Sequence, residues 1–117
     1  MAITIVKNLT ASPNPAQLPK RVEFQQTLKS SLDTESITVF YSLEPDHQIW
    51  FEDSNGQRTK QTQRTETIGK AQQVCIDRLT MVFGPGTGPL LTVEVSQAIQ
   101  DSQGNVLPDL VVLQITP

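Results

Sequence analysis

The sequence predicts an all-β protein built as an antiparallel β-sandwich or a small barrel. Apolar and polar residues alternate with a period of two in several segments, which is typical of strands that bury one face. Threonine and β-branched residues are abundant in those segments, as they are in strands generally. Clusters of proline, glycine, asparagine and aspartate separate the segments at the spacing expected for sandwiches and barrels.

Seven or eight strands follow from this alternation. The clearest rows of alternating residues begin at Val22, Ile37 and Leu91. No window of useful length shows the 3.6-residue period of an amphipathic helix. The predicted strands lie at residues 2–10, 21–30, 36–43, 48–52, 57–68, 73–83, 90–99 and 106–116.

The segments between the predicted strands have the composition of turns. Ala11–Lys20 contains three prolines and therefore cannot form the interior of a helix. Glu44–His47 and Asp101–Asn105 are predicted turns. Asp53–Gln57 contains an Asn-Gly pair, which indicates a hairpin.

The segment Gly69–Phe83 is the one ambiguous element. Val74 and Ile76 alternate in one phase, and the apolar residues of 79–83 alternate in the other. A β-bulge near Asp77–Arg78 would explain the change of phase, and a short helical turn is the alternative.

The middle of the chain is unusually polar, because no residue from Glu52 to Thr67 is apolar. A central strand of a sandwich must present at least one apolar face. We therefore expect residues 53–67 to form a polar edge strand or a projecting arm.

The same segment carries a row of cations, Arg58, Lys60 and Arg64, which strand spacing places on one face. Charged residues on an edge strand protect it from aggregation, and an arm of this kind could instead contact an acidic partner. Three cations without interleaved aromatic residues give little indication of nucleic-acid binding.

Composition bounds the function of the chain. Its 117 residues suffice for one domain, residues 1–117, and its formal net charge is −3. One cysteine and one histidine allow neither an internal disulfide nor a Cys/His metal cluster. We expect no secretory signal, because the residues after Met1 do not combine a basic region with a long apolar run, and no apolar run is long enough to span a membrane. We expect a protein that is not an enzyme and binds no cofactor and no metal.

Two stretches resemble bacterial and bacteriophage immunoglobulin-like modules. NLTASPNPAQLPKRVEFQQTLKS has the short first strand, proline-rich crossing and alternating second strand of such modules. LLTVEVSQAIQDSQGNVLPDLVVLQITP has their two long final strands around a D-x-x-G-N turn. The resemblance implies a single immunoglobulin-like antiparallel β-sandwich of seven to eight strands. The chain departs from the pattern at residues 52–72, which lack the usual short apolar strand, and it has no Cys–Trp–Cys core.

The glycine- and proline-rich loop GPGTGP, residues 84–89, precedes an apolar strand. A phosphate loop needs a lysine and a Ser or Thr after its last glycine, followed by a helix. Here Pro89 and then a strand follow, and the prolines carry no N–H to donate. The loop is either a connection stiffened by proline or a partner contact made through Pro85, Thr87 and Pro89.

The hairpin around Trp50 and Phe51 is the strongest local indication of a partner surface. Two adjacent aromatic residues of one strand cannot both face the core, so one of them lies at the surface or in an interface. The carboxylates near His47 match no established metal-binding loop. An enzyme would need a pocket converging on His47 and these carboxylates.

The resemblance implies a structural, non-catalytic role. We expect a bacteriophage capsid decoration or cement protein, which is made in the host cytoplasm, resides in the virion and forms a homo-oligomer. Its partners would be proteins, namely the major capsid protein or another virion protein and copies of itself, with no nucleic acid and no membrane. The alternative is an adhesion or carbohydrate-binding module on the bacterial cell surface, with Trp50 as a platform for sugar stacking.

Overall fold

The computed structural model describes residues 2–17, 20–83 and 91–116, which form ten β-strands and no helix. The long strands lie close to their predicted positions. The ten strands are β1 (Ile3–Ser12), β2 (Ala16–Gln17), β3 (Lys20–Ser30), β4 (Glu35–Leu43), β5 (Ile49–Glu52), β6 (Arg58–Thr59), β7 (Gln61–Ile68), β8 (Gln73–Phe83), β9 (Leu91–Gln100) and β10 (Val106–Thr116).

The strands form two five-stranded sheets, and the prediction of an all-β sandwich is confirmed. Sheet A has the order β1-β3-β8-β5-β6, and sheet B has the order β2-β10-β9-β4-β7. All pairs are antiparallel except β2 and β10, which pair in parallel at Ala16 and Ile115. The peptide bonds before Pro13 and Pro15, between β1 and β2, are cis.

The core lies between the sheets and is filled by alternate residues of the long strands, because successive side chains of a strand point to opposite faces. The rings of Phe24 in sheet A and Tyr41 in sheet B lie 5.5 Å apart, near the middle of this layer. The fully buried large apolar side chains include Phe24, Leu28, Ile37, Ile49, Ile68, Met81, Ile99, Leu113 and Ile115.

Two hairpins turn through the same sequence pattern, Asp-Ser-x-Gly. In Asp53–Gln57 and Asp101–Asn105, the first aspartate accepts hydrogen bonds from the backbone N–H groups two and four residues later. The glycine of each turn has a positive φ, 78° at Gly56 and 87° at Gly104, which side chains strongly disfavour. The sequence signal therefore corresponds to three-residue loops closed by glycine.

The predicted bulge or helical turn near Asp77–Arg78 is wrong. β8 pairs with β3 in one uninterrupted register from Gln73 to Met81. Its core-facing row includes Cys75 and Asp77, whereas Val74 and Ile76 are 55% and 40% exposed. The apparent change of phase arises because a buried carboxylate takes a core position in an otherwise apolar strand.

The polar segment 53–67 divides between the two sheets. β6 lies at the edge of sheet A, where it pairs with β5, and β7 lies at the edge of sheet B, where it pairs with β4. Lys60 stands between these strands, and its carbonyl accepts the N–H of Leu43 at 2.8 Å. The segment therefore crosses from one sheet to the other.

Glu35 stabilises one end of the sandwich, and this residue is only 2% exposed. Its carboxylate accepts hydrogen bonds from the hydroxyls of Ser30 and Ser102. The carbonyl of Gly69 accepts the N–H of Ser30 at 2.8 Å in the same region. A Cβ atom at Gly69 would lie 2.8 Å from the carbonyl oxygen of Asp33, so the chain passes too close there for a side chain.

We predict that Gly69→Ala lowers the free energy of unfolding by about 1–3 kcal/mol, because the added methyl group forces the Asp33 backbone to move. Urea unfolding followed by circular dichroism measures the change.

Lys70→Ala is the matched control in the same turn. The Lys70 side chain is 64% exposed and its ion pair with Asp33 lies at the surface, so we expect a change within about 0.5 kcal/mol. Equal stability of the Gly69→Ala and wild-type proteins would contradict the close approach.

Candidate functional site

A continuous chain of polar side chains crosses the core, and we call it the polar seam. It begins where Asp109 on β10 accepts the N–H of Leu9 on β1 at 2.8 Å. Gln26 on β3 donates to the same carboxylate oxygen at 3.0 Å. The amides of Gln26 and Gln97 exchange hydrogen bonds of 2.7 and 2.9 Å, and Gln97 also donates to the hydroxyl of Tyr41 at 3.3 Å.

The seam continues to the far side of the sandwich through Asp77 on β8. The Tyr41 hydroxyl donates to Asp77 at 2.5 Å, and the Nε of Arg64 on β7 donates to the second oxygen of this carboxylate. Arg64 also donates to Glu66 at 3.0 Å, and the Cys75 thiol donates to Glu66 at 3.0 Å. In the described part of the chain, no buried side-chain nitrogen or oxygen lacks a hydrogen-bond partner.

The seam holds its protons in a fixed arrangement. Burial and the hydrogen bond to Asp77 raise the pKa of Tyr41 well above its usual value. Burial and the neighbouring Glu66 raise the pKa of the Cys75 thiol to about 12. Burial opposes the charge of Arg64, but the hydrogen bond to Asp77 and the negative charges of Asp77 and Glu66 together outweigh burial and raise the pKa of Arg64. This arrangement suits structural cohesion, because the Cys75 thiol stays protonated and unreactive at neutral pH.

The structure places the two predicted aromatic contacts on opposite sides of β5. Phe51 is 4% exposed and belongs to the core, so its side chain is not presented to a partner. Trp50 lies on the outer side and is half-buried, and the Nζ of Lys60 lies 4.4 Å from its ring centroid. Lys60 also donates to backbone carbonyls of His47 and Ile49, and burial lowers the pKa of Lys60. Lys60 therefore braces the turn that precedes β5.

The prediction that Arg58, Lys60 and Arg64 share one face is wrong, because the chain changes sheets between them. Arg58 is exposed at the edge of sheet A and pairs with Glu52 at 3.2 Å. Arg64 lies on the inner side of β7 and binds Asp77. The predicted contacts Pro85, Thr87 and Pro89 lie outside the described residues.

His47 contacts Glu44 at 2.5 Å, within the predicted turn. Across residues 2–17, 20–83 and 91–116, no three His, Cys, Asp or Glu side chains are grouped closely enough to hold a metal ion.

The outer face of sheet B is the most distinctive surface of the molecule. Among the described residues that point outward from its four long strands, Glu94 is the only one with a charge. Phe40 lies half-buried on this face, beside a shallow depression between β4 and β7. These outward-facing residues are Ser36, Thr38, Phe40, Ser42, Gln61, Gln63, Thr65, Thr67, Thr92, Glu94, Ser96, Ala98, Gln100, Val106, Pro108, Leu110, Val112, Gln114 and Thr116.

An apolar row runs along β10 on this face, where Val106, Leu110 and Val112 are 45–53% exposed. The outer face of sheet A differs, because it carries the charged residues Arg21, Glu23, Lys29, Glu52 and Arg78. Interfaces are depleted of charge at their centre, so the two faces of the sandwich differ in their suitability for protein contact.

Sequence reasoning missed both the polar seam and this face, whose only charge among the described residues is that of Glu94. The alternation did place Gln26 in the inward row of β3, which was a usable signal for a buried amide. Nothing local identified its partner Gln97, which lies 71 residues away. The uncharged face was visible only in part, because it joins strands that are distant in sequence.

No protein-family model matches the chain, and no curated protein matches it. The fold is similar to part of the alkylpurine DNA glycosylase AlkC of Pseudomonas fluorescens, a structure bound to DNA containing an abasic site analog. That similarity has a TM-score of 0.60 and 17% identity, and it covers 99% of this chain and 31% of the glycosylase. The sporulation control protein Spo0M of Bacillus subtilis is similar with a TM-score of 0.59 and 11% identity, over 100% of this chain and 50% of that protein.

A DUF4466 family protein of Parabacteroides merdae is also similar, with a TM-score of 0.50 and 13% identity, over 91% of this chain and 44% of that protein. This chain thus spans a third to a half of the length of these proteins. At such identities the similarity concerns the fold alone. Within the described residues, the structure holds no helix that is long and apolar enough to span a membrane.

We predict that Arg64→Ala lowers the free energy of unfolding by about 2–3 kcal/mol, because it leaves the carboxylate of Asp77 without its cationic partner. The Arg64 side chain is 27% exposed, so water offsets part of the loss. Chemical denaturation measures the change.

Arg58→Ala is the matched control, because the pair of Arg58 and Glu52 lies at the surface. We expect it to cost about 0.2–1 kcal/mol. Equal losses for the two arginine variants would contradict a structural role of the Arg64–Asp77 pair.

We predict that the stability of the protein falls between about pH 9 and pH 12 and that Cys75→Ala falls less steeply. The thiol has an ordinary pKa of 9.0 and a pKa of about 12 in the folded protein. As pH rises through this window the unfolded chain loses the thiol proton first, so the unfolded state becomes relatively more stable.

Urea midpoints measured at intervals through this window test the prediction. The cavity left by Cys75→Ala lowers stability by the same amount at each pH, so only the difference in slope counts. Parallel pH profiles of the two proteins would contradict the raised pKa.

Proposed function

We propose that this chain is a non-catalytic structural module that acts by binding other proteins through the outer face of sheet B. The observation that carries the proposal is the contrast between the two outer faces. Among the described residues, sheet A presents arginine, lysine and glutamate, whereas sheet B presents hydroxyls, amides and an apolar row with the single charge of Glu94. A broad face of this kind loses little hydration free energy when another protein covers it.

We further propose that the sandwich is immunoglobulin-like. Sheet A contains β1, β3, β8 and β5 in the spatial order of strands A, B, E and D of an immunoglobulin domain, and β10, β9 and β4 follow the order G, F and C. Taken along the chain, these seven strands also follow the order from A to G. β6 and β7 would then be an insertion between strands D and E.

The proposed setting is the surface of a bacteriophage capsid, where the chain would serve as a decoration or cement protein. This setting rests on the resemblance of the opening and closing stretches to modules found in virion proteins. A rigid sandwich with one uncharged face suits such a role, because it can lie flat on a shell and bridge neighbouring subunits. The proposed partners are the capsid protein and copies of this chain.

The adhesion or carbohydrate-binding alternative relies on Trp50 as a platform for sugar stacking. Lys60 lies 4.4 Å from the centre of this ring and covers one of its faces. The contact disfavours sugar stacking on that face, so protein binding is the function that the geometry supports best.

We predict that the chain sediments in many copies with intact phage particles from its native source, as detected by mass spectrometry of gradient fractions. A chain that stays at the top of the gradient would contradict the virion setting.

We also predict that Leu110→Lys weakens rebinding to particles stripped of the chain by about tenfold or more, because it places an ammonium group in the uncharged face. Gln25→Lys adds the same charge to the outer face of sheet A and is the matched control. Equal binding by both variants would contradict the assignment of the binding face.

A further inference from the structure

One strand of sheet A lacks a neighbour along half of its length. β8 pairs with β3 from Gln73 to Met81, but it pairs with β5 only from Thr80 to Phe83. β5 is too short to reach further. Residues 73–79 therefore have no strand on their second side within the described structure, and we call this stretch the open edge of β8.

The backbone groups of the open edge face outward in a predictable pattern. The N–H of Asp53 donates to the carbonyl of Gln57, the residue before β6, at 3.0 Å, so the backbone groups of the preceding residue, Glu52, point to β8. Glu52 pairs with Thr80, whose backbone groups therefore point to β5. By the same alternation, the N–H and C=O groups of Val74 and Ile76 point to the open edge.

Apolar side chains accompany these free backbone groups. Val74 is 55% exposed and Ile76 is 40% exposed, and both lie on the outer side of the open edge. Proteins usually protect an edge strand with charged residues, proline or a covering loop. The open edge of β8 therefore offers both the hydrogen bonds and the apolar contacts that an added strand requires.

At the edge of β10, in contrast, side chains occupy the backbone groups that no neighbouring strand pairs. Pro108 has no N–H, and the Asp109 carboxylate accepts the N–H of Leu110 at 2.8 Å. The Asn14 side chain accepts the N–H of Gln114 and donates to the carbonyl of Val112, each at 3.0 Å. β10 is thus protected along its edge despite its exposed apolar row. β8 carries the charges of Asp77, which points inward, and of Arg78, which is exposed. Among the described residues, however, no side chain bonds to the backbone groups of Val74 and Ile76 as Asp109 and Asn14 do to those of β10.

We propose that the open edge of β8 pairs with the same segment of a second copy of this chain, in antiparallel orientation about a two-fold axis at Cys75. In this register Val74 of each copy lies opposite Ile76 of the other. The two-fold axis produces this pair twice, so all four exposed apolar side chains of the dimer gain an apolar neighbour. Arg78 lies opposite Gln72, and no like charges face each other across the axis. The pairing would join the A sheets of two molecules into one continuous sheet.

The sequence of the open edge supports a second copy as the occupant, because the two-fold axis at Cys75 places its exposed apolar residues against each other and sets Arg78 opposite the uncharged Gln72. A cavity of about 290 Å³ opens where β5 ends, and its lining includes Arg21 and Arg78 as well as Glu52 and Asp53. In the proposed register, the turn at residues 69–72 of one copy approaches this cavity of the other copy. The lining carries charges of both signs, so the exposed Lys70 of that turn meets no excess of like charge.

The proposed interface is short, so we expect a low affinity between the two copies. A ladder of about five residues covers less surface than the roughly 1,200–2,000 Å² of stable complexes, so the dimer should form in a concentration-dependent way. The proposal goes beyond the binding face of sheet B, because it uses the edge of the other sheet and holds whichever protein sheet B contacts.

Sedimentation velocity over a range of concentrations tests the proposal with the full chain. We expect the wild-type protein to shift from monomer to dimer as its concentration rises, and Ile76→Lys to raise the dissociation constant about tenfold or more. Thr4→Lys is the control, because it places the same charge at an exposed residue of the same outer face, on β1, two strands away from the open edge. We expect it to dimerise as the wild type does.

Hydrogen exchange of the wild-type protein gives a second readout that needs no variant. The amides of Val74 and Ile76 should exchange more slowly at high concentration than at low concentration. A wild-type protein that stays monomeric at every concentration overturns the proposal. Equal weakening by Ile76→Lys and Thr4→Lys, or amide exchange at Val74 and Ile76 that does not depend on concentration, also overturns it.

Discussion

The hydrogen bonds around Asp77 fix how the two sheets lie against each other. A buried carboxylate is costly unless its oxygens are paired, and here one oxygen accepts from Tyr41 of sheet B and the other from Arg64 of the same sheet. Tyr41 is then joined through Gln97 to Gln26, which returns the chain of contacts to sheet A. A shift of one sheet along the other by one residue would leave several of these groups without hydrogen bonds. The seam therefore favours one alignment of the sheets, which apolar packing alone would specify less strictly.

The polarity of segment 53–67 is related to the absence of a strand beside residues 73–79 of β8. β7 lies opposite the half of sheet A that β5 does not reach, so its inner side faces a gap in the sheet. Arg64 and Glu66 extend across that gap to Asp77 and Cys75, and they close the side of the core. Apolar residues at these positions would leave Asp77 without its cationic partner. The polar side chains of β7 therefore allow the core to be closed beside β8 although the edge of that strand is unpaired.

Much of the fold could be predicted from sequence, because alternation and turn chemistry are local. The long strands lie within a few residues of their predicted bounds, and the Asp-Ser-x-Gly turns fall where they were expected. β8 was misinterpreted at Asp77 because a hydropathy pattern assigns every charged residue to the solvent face, whereas the Asp77 side chain faces the core. The grouping of Arg58, Lys60 and Arg64 failed because strand spacing cannot show that a chain changes sheets. Of the aromatic pair, alternation required one residue to face outward, but only the packing of the core decides that it is Trp50.

The arrangement of the first and last long strands has a mechanical consequence. Ile3 pairs with Ser30 at one end of the sandwich, whereas Ile115 pairs with Leu91 at the other, and the molecule is 47 Å long. β1 and β10 lie side by side and are tied by the bond from Leu9 to Asp109. A pull applied between Ile3 and Thr116 would act along these strands, across the direction of their hydrogen bonds. Those bonds would have to break together instead of one after another, so the module should resist stretching along its long axis and behave as a stiff link under load.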